Sequence, residues 1–280
     1  MSTGAAQPLQ RLLSQLELEP RDGDLFLGRT GAGGGRLFGG LVAAQAVLAA
    51  GRTVATGALH SLHGYFLRPG RHGAPVTFAV DRIRDGRTFT TRRVVAHQAG
   101  EAIFSLSVSF ARPEEGIAHQ DPMPDAPPPG ELPDWEAERA RLLGEPRGEE
   151  GPVEVRICDP DDPLGRPLPP SKRMWMRPRG ALPDDPLVHT ALLVFASDRA
   201  LLSTAARPHG LPWGRRMGAS LDHALWIHRP VRFDDWLLYA MHSPAAHAAR
   251  GLVFGAIYAR DGQRVASVAQ EALIRIPRGL

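Results

Sequence analysis

Three polar residues in the second half of the chain have side chains that could act together on a bound molecule: Asp198, Ser220 and Gln270. A carboxylate that is partly removed from water has a raised pKa and accepts a proton more readily than an exposed one. A serine hydroxyl and a glutamine amide each donate and accept hydrogen bonds. The chemistry that such a set supports is therefore proton acceptance beside groups that orient a small polar molecule.

Gln270 interrupts an otherwise apolar strand face. In the first half of the chain, the residues at alternate positions after Gly100 are all apolar: Phe104, Leu106, Val108 and Phe110. The positions with the same offsets from Gly262 are Ala266, Val268, Gln270 and Ala272. Alternation with period two turns this face toward the core, where an amide without partners costs about 1–3 kcal/mol. Gln270 is therefore either a core residue that backbone groups satisfy or part of a site.

Asp198 and Ser220 each allow two interpretations. Asp198 follows the apolar run 191–196 directly, so it is partly buried if that helix packs on the sheet, or it faces water at the helix end. Ser220 begins the strand that leads to Asp222, and it is either a partner for Gln270 or an ordinary serine at a strand edge. Only the packing of the two elements decides between these interpretations.

The elements that would position these residues form two similar halves. The first half has a short helix (10–18), a glycine-rich turn (31–35), a buried helix (41–50) and four strands (59–67, 76–82, 88–98 and 102–111). The second half has a helix (186–202) and four strands (220–228, 236–243, 250–260 and 264–276). Proline-rich sequence with a helix at 134–143 separates the halves.

A count supports the duplication. Pro69 and Gly100 are 31 residues apart, and Pro230 and Gly262 are 32 residues apart. Each unit alone would be a small sheet with one helix, so two units that pack together are expected. The sequence predicts an α+β protein of the double hot-dog type, with a hot-dog unit at 1–112, a linker at 113–172 and a second hot-dog unit at 173–280.

Composition excludes several classes of function. The net charge is +3, which is too small to indicate nucleic acid binding. Lys172 is the only lysine and has neither a P-loop nor a favourable setting for a Schiff base, and Cys158 alone cannot form an internal disulfide or a cysteine-rich metal site. The sequence contains neither H-E-x-x-H nor G-x-S-x-G. Without an export signal or a stretch long enough to span a membrane, we expect a soluble cytoplasmic protein.

Motifs in both halves resemble those of the acyl-CoA thioesterase II (TesB-like) family. In the first half they are L-F-G-G at 37–40, Q-A at 45–46 and H-S-L-H-G-Y-F-L-R-P-G at 60–70. In the second half they are A-S-D at 196–198, L-D-H-A-L-W-I-H-R-P at 221–230, A-R-G at 249–251 and V-A-S-V-A-Q-E at 265–271. The resemblance extends from about residue 16 to residue 276 and is weakest in the proline-rich middle.

The resemblance implies a double hot-dog enzyme that hydrolyses acyl-CoA to a free acid and CoA without a metal or organic cofactor. Asp198, Ser220 and Gln270 match the family residues that orient the attacking water, with Asp198 as the base. The family commonly has threonine where this chain has Ser220. Serine keeps the hydroxyl but lacks the methyl group that restricts the side-chain rotamer.

Substrate contacts and assembly are also expected from this resemblance. Gly39 and Gly40 begin a helix whose amides a ligand could approach, and Arg68 and Arg250, with Arg92 and Arg93, are candidates for contacts with CoA phosphates. We interpret four histidines as structural: His60, His63, His223 and His228. Exposed strand edges in such sheets favour a homo-oligomer, either a dimer or a tetramer.

Two other functions remain open at this stage. A hydratase or dehydratase of enoyl-CoA can have the same fold, but it needs a histidine close to the acid, and Arg199 and Ala200 follow Asp198 here. A non-catalytic protein that binds acyl-CoA or a related acyl intermediate is the third hypothesis, which the presence of acid, hydroxyl and amide together disfavours.

Overall fold

Two apolar helices lie side by side at the centre of the computed structural model, which describes residues 7–146, 148–211 and 217–276. These are α2 (Gly39–Gly51) and α4 (Pro186–Ser197). Both are rich in alanine, leucine and valine, and α4 begins where the Asp185 carboxylate accepts a hydrogen bond from the Leu187 amide at 2.8 Å. The helices are antiparallel, because Gly51 at the end of α2 adjoins Leu187, whereas Gly40 at its start adjoins Phe195.

Three further helices are α1 (Gln7–Leu16), α3 (Trp135–Leu143) and α5 (Leu201–Ala206). The strands of the first half are β1 (Glu19–Arg21), β2 (Leu25–Gly28), β3 (Ala58–Phe66), β4 (Val76–Asp85), β5 (Phe89–Gln98) and β6 (Glu101–Ala111). Those that follow are β7 (Val153–Ile157), β8 (Ser171–Pro178), β9 (Met217–Ser220), β10 (Asp222–Ile227), β11 (Leu237–His247), β12 (Arg250–Ala259) and β13 (Arg264–Arg275). No helix in these described segments is long and apolar enough to cross a membrane.

One antiparallel sheet contains all of these strands and continues from one half of the chain to the other. The order is β1-β2-β4-β5-β6-β3-β10-β13-β12-β11-β8-β7, and β9 pairs with β13. The halves join where β3 pairs with β10, with Leu62 opposite Leu225. The inner faces of β6 and β13 are buried, as their alternation predicts, and their apolar residues share one core with the two central helices.

Two of the predicted elements are interrupted in the structure. The helix expected at 186–202 ends at Ser197, and α5 begins at Leu201 after Ala200, which has a φ of 67°. The strand expected at 220–228 divides at Leu221 into β9 and β10. Both interruptions fall beside the candidate residues Asp198 and Ser220.

The segment 113–172 contains more than a linker with one helix. The predicted helix is present as α3, which is capped by the Asp134 carboxylate at its start and by Gly144 in the left-handed region at its end. The structure adds β7 and the first residues of β8, and β8 pairs with β11 of the second half. These strands are short and bordered by proline and glycine, which favours the interpretation of the whole segment as a linker, although V-E-V-R-I at 153–157 alternates as a strand does. Their pairing with a remote strand makes them part of the sheet.

Candidate active site

Asp198 follows the last residue of α4 and points toward the beginning of α2. Its Oδ2 accepts a hydrogen bond from the backbone N–H of Gly40 at 2.9 Å. Its Oδ1 accepts a second one from the hydroxyl of Ser220 at 3.0 Å. The acid therefore does not face bulk water at a helix end: it lies between the two central helices and contacts both halves of the chain.

The pKa of Asp198 is raised above its usual value, and burial is the largest cause. The nearby His223 and the hydrogen bonds from Ser220 and Gly40 act in the opposite direction. The helix ends also have opposing effects, because the end of α4 disfavours a negative charge, whereas the start of α2 favours one. The result is a carboxylate that binds a proton more readily than an exposed aspartate does.

Gln270 and Ser220 extend the contacts of Asp198 into the core. Ser220 in β9 pairs with Ala272 of β13, two residues from Gln270. The Gln270 Nε2 donates to Ser220 Oγ at 2.9 Å, and the Gln270 side chain is 1% exposed. The structure therefore brings Asp198, Ser220 and Gln270 into one chain of hydrogen bonds. Side chains rather than backbone groups satisfy the amide of Gln270.

Gly39 and Gly40 permit this close approach. A Cβ atom at Gly39 would lie 2.9 Å from Asp198 Oδ2 and 2.8 Å from the ring of Phe66. A Cβ atom at Gly40 would lie 2.5 Å from the backbone oxygen of Phe195. Two glycines at the beginning of α2 therefore let the end of α4 come within hydrogen-bonding distance.

We expect Gly40→Ala to destabilise the protein by about 2–3 kcal/mol, because the new methyl group overlaps a backbone atom that side-chain rotation cannot move. The same shift would lengthen the hydrogen bond from Gly40 to Asp198, so turnover should fall as well. Gly34→Ala is the control, since a Cβ atom there meets open space. Denaturant unfolding of both variants tests this, and equal stability of the two would contradict the packing argument.

A cavity of about 570 Å³ opens beside this group. Asp198 and Ser220 line it. Its apolar wall comes mainly from the first half of the chain and includes Leu37, Phe38, Val42, Phe66, Ile103 and Phe104. The site therefore lies between the two halves, because residues of both line the cavity.

Of the four arginines that the sequence offered as candidates for phosphate contacts, only Arg68 lines this cavity. Arg36, which the sequence argument did not select, lines it as well. Arg250 lies elsewhere, paired with Glu271 at 2.9 Å, and lines a separate surface depression. Arg92 is 1% exposed and hydrogen-bonded to Thr53, so it cannot contact a phosphate. Arg93 is exposed on β5.

Two other residues with nucleophilic side chains are Cys158 and Lys172, and neither is available to attack a ligand. Burial raises the pKa of Cys158 to about 11, so the residue is a neutral thiol near neutral pH. The Lys172 Nζ lies 2.6 Å from Asp161 and 3.0 Å from the hydroxyl of Ser203, and its side chain is buried. Neither residue is placed to attack a ligand in the cavity beside Asp198.

His223 contacts the site, which the sequence argument did not foresee. Its Nδ1 lies 2.7 Å from Gln270 Oε1. Strand alternation offered a signal, because it puts Asp222 and His223 on opposite faces of the strand, and the pairing of β10 with β13 then puts His223 on the same buried face as Gln270. The interpretation of His223 as a structural residue did not use that signal.

Comparisons with known families match most of the chain. Residues 27–111 match a family model described as an acyl-CoA thioesterase N-terminal domain, and residues 152–273 match one described as acyl-CoA thioesterase. A mouse protein named acyl-coenzyme A thioesterase 8 is 38% identical, with 94% of this chain and 88% of that protein covered. The first model lies within the first predicted unit, and the second begins at residue 152, inside the segment predicted as a linker.

Solved structures confirm the predicted double hot-dog fold. The crystal structure of an acyl-CoA thioesterase II, TesB2, from Mycobacterium marinum matches with a TM-score of 0.81 and 41% identity. That match covers 96% of this chain and 99% of the other. A protein of unknown function with a hot dog fold from Alicyclobacillus acidocaldarius has a TM-score of 0.78 over 95% and 98% of the two chains, and at 19% identity it supports the fold alone.

Proposed function

Because the chain belongs to the acyl-CoA thioesterase family, we propose that it hydrolyses an acyl-CoA thioester to a free carboxylic acid and CoA. The observation that carries this proposal is the chain of hydrogen bonds from Gln270 through Ser220 to Asp198, which ends at an apolar cavity. Such a site has a base, groups that orient water, and room for an acyl group.

A thioester carbonyl is already electrophilic, so the reaction needs a positioned water and a group that accepts its proton. Asp198 accepts that proton while the water oxygen forms a bond with the carbonyl carbon. The tetrahedral intermediate then collapses, the carbon–sulfur bond breaks, and the CoA thiolate takes the proton from Asp198, which restores the carboxylate. Ser220 and Gln270 keep the water and the carboxylate in a fixed orientation.

The beginning of α2 provides the donors for the negative charge that develops on the carbonyl oxygen. Backbone N–H groups at a helix start point outward along the axis, and the helix dipole favours an anion there. The Gly40 N–H contacts Asp198, so the neighbouring Gly39, which lines the cavity, is the candidate donor. This assignment requires no metal or organic cofactor.

The cavity indicates how acyl-CoA would lie. Its aromatic and aliphatic wall suits an apolar acyl group, and Arg36 and Arg68 suit the phosphates of CoA. Arg68 is half-exposed and only 3.4 Å from Glu101, so it can change partners at small cost. CoA phosphates therefore replace Glu101 as the partner of Arg68 in this arrangement.

Leu202 separates this cavity from a second one of about 450 Å³ and lines both. We expect Leu202→Ala to join the two cavities and to raise the ratio of kcat/KM for a sixteen-carbon over a six-carbon acyl-CoA roughly fivefold or more. Leu201→Ala is the matched control, because Leu201 is buried in the same turn and belongs to the core instead. An unchanged ratio in Leu202→Ala would show that the acyl group does not pass Leu202.

Neither of the other two functions fits the geometry as well. A hydratase needs a histidine that can act on the ligand beside the acid, whereas His223 is held by Gln270 and Ser197 and does not line the cavity. A non-catalytic binding protein would have no use for a carboxylate with a raised pKa at the end of its cavity. Release of the CoA thiol, measured on saturated, branched and aromatic acyl-CoAs, tests the proposed function. Binding of acyl-CoA without thiol release would favour a carrier.

The proposal includes a cytoplasmic homo-oligomer with a role in fatty acid metabolism. Tyr65, Trp226 and Phe254 are partly exposed on one outer face of the sheet, which suits contact with a second copy. A dimer or a tetramer is consistent with that surface, and the mass in solution would decide.

A further inference from the structure

His223 lies behind the chain of hydrogen bonds that ends at Asp198. It is on β10, and its side chain is 1% exposed. Its Nδ1 is 2.7 Å from Gln270 Oε1, and its Nε2 is 2.9 Å from the hydroxyl of Ser197. The Ser197 hydroxyl also lies 2.9 Å from the Val194 carbonyl, and its one proton can go to that carbonyl or to Nε2. With Nδ1 protonated, a neutral imidazole accepts the Ser197 proton at Nε2, so both sides of the imidazole are held.

The direction of each hydrogen bond follows from the ionised form of Asp198, the form that can accept a proton. A carboxylate only accepts hydrogen bonds, so the Ser220 hydroxyl must donate to it. That hydroxyl has one proton, so Gln270 must turn its NH₂ group toward Ser220 Oγ. The amide oxygen then faces His223, and Nδ1 must be the nitrogen that carries a proton.

The side-chain amide of Gln270 has a second orientation of almost the same shape, in which oxygen and nitrogen exchange places. In that orientation the amide oxygen would accept the Ser220 hydroxyl, and Asp198 would lose a donor that lowers its pKa. A protonated Nδ1 of His223 disfavours this exchange, because it would bring two donors face to face. The hydrogen bond from Nδ1 to Gln270 Oε1 therefore holds the amide in the first orientation.

We propose that His223 is a positioning residue that fixes the Gln270 amide, and through it directs the Ser220 hydroxyl to Asp198. The proposal rests on the proposed thioesterase activity and deepens it. A misdirected hydroxyl would leave the base and the water without a fixed orientation, which slows the chemical step more than it weakens substrate binding.

The decisive comparison is between His223→Asn and His223→Gln. Asparagine places an amide at the position of Nδ1, whereas glutamine places it near Nε2. We expect His223→Gln to lower kcat by roughly 10- to 100-fold with KM within about threefold of wild type, and His223→Asn to recover most of that loss. Equal kcat in the two variants would overturn the proposal.

A double-mutant cycle separates positioning from general structural damage. Gln270→Ala removes the group that His223 is proposed to orient. Adding His223→Gln to Gln270→Ala should therefore change kcat less than about twofold, although it lowers kcat strongly in the wild-type background. If the fold-losses of kcat in the two single variants multiplied in the double variant, His223 would act independently of Gln270, and the proposal would be overturned.

His189→Leu is the matched control. His189 is also fully buried, lies near the start of α4 and accepts a hydrogen bond from the Phe233 amide at 3.1 Å. We expect this variant to lose stability and retain kcat. If His223→Gln kept full turnover while Asp198→Asn was inactive, the positioning role of His223 would be refuted and the proposed thioesterase activity would stand. Absence of turnover in the wild type would refute the proposed function.

Discussion

Asp198→Asn is expected to lower kcat by roughly a thousandfold, because the amide cannot accept the proton of the attacking water. The substitution preserves size and leaves the apolar wall of the cavity unchanged, so acyl-CoA should still bind. Thiol release from acyl-CoA at saturating substrate measures the effect, and direct titration of acyl-CoA binding checks that the site is intact. Turnover close to the wild-type rate would show that Asp198 is not the base.

The raised pKa of Asp198 predicts that Asp198→Asn, although it lowers kcat, increases the stability of the folded protein. Below about pH 4 the carboxyl is protonated in both folded and unfolded protein, and burial then has no electrostatic cost. As the pH rises, the unfolded chain ionises first, so the folded wild type loses relative stability until the pH passes the folded pKa. Asparagine does not titrate.

The Tm of Asp198→Asn should therefore exceed that of the wild type by an amount that is small near pH 4 and reaches a plateau at higher pH. Thermal unfolding at several pH values provides the measurement. The same raised pKa places the acidic limb of kcat/KM in the wild type above the ordinary range for aspartate. A Tm difference that grows as the pH falls would contradict the raised pKa.

Gln270→Ala is expected to lower kcat by about 100-fold or more. The variant removes the donor to Ser220 and leaves the nearby Nδ1 of His223 without its partner. Loss of a single orienting hydrogen bond in an active site has effects of this size. Steady-state kinetics on one acyl-CoA measures the change, and KM should change much less than kcat.

Gln45→Ala is the control for Gln270→Ala. Gln45 is a second fully buried glutamine, and its Nε2 donates to the backbone oxygens of Gln15 and Arg29 at 2.7 and 2.8 Å. Its removal should destabilise the protein by about 1–3 kcal/mol and leave kcat nearly unchanged. If both variants lost the same activity, the effect of Gln270→Ala would be a loss of folded protein rather than a loss of catalysis.

The sequence by itself determined the double architecture and singled out two site residues. Apolar alternation is a local property, so the comparison of Val108 with Gln270 exposed the buried amide without any structure. The end of the apolar run 191–196 marked Asp198 for the same reason, because burial follows the helical pattern. Ser220 required the resemblance, since an isolated serine has no pattern that distinguishes it.

Only the tertiary structure decided which of these residues meet. Pairing between remote strands brings Ser220 of β9 beside β13 and joins β3 to β10 across the two halves. It also places β7 and β8, which lie between proline- and glycine-rich segments, in the sheet. In the folded chain Arg92 is buried, whereas Arg250 pairs with Glu271. His223 became part of the site in the same way. Periodicity reports how deeply a side chain is buried, whereas its neighbours depend on contacts between residues far apart in the chain.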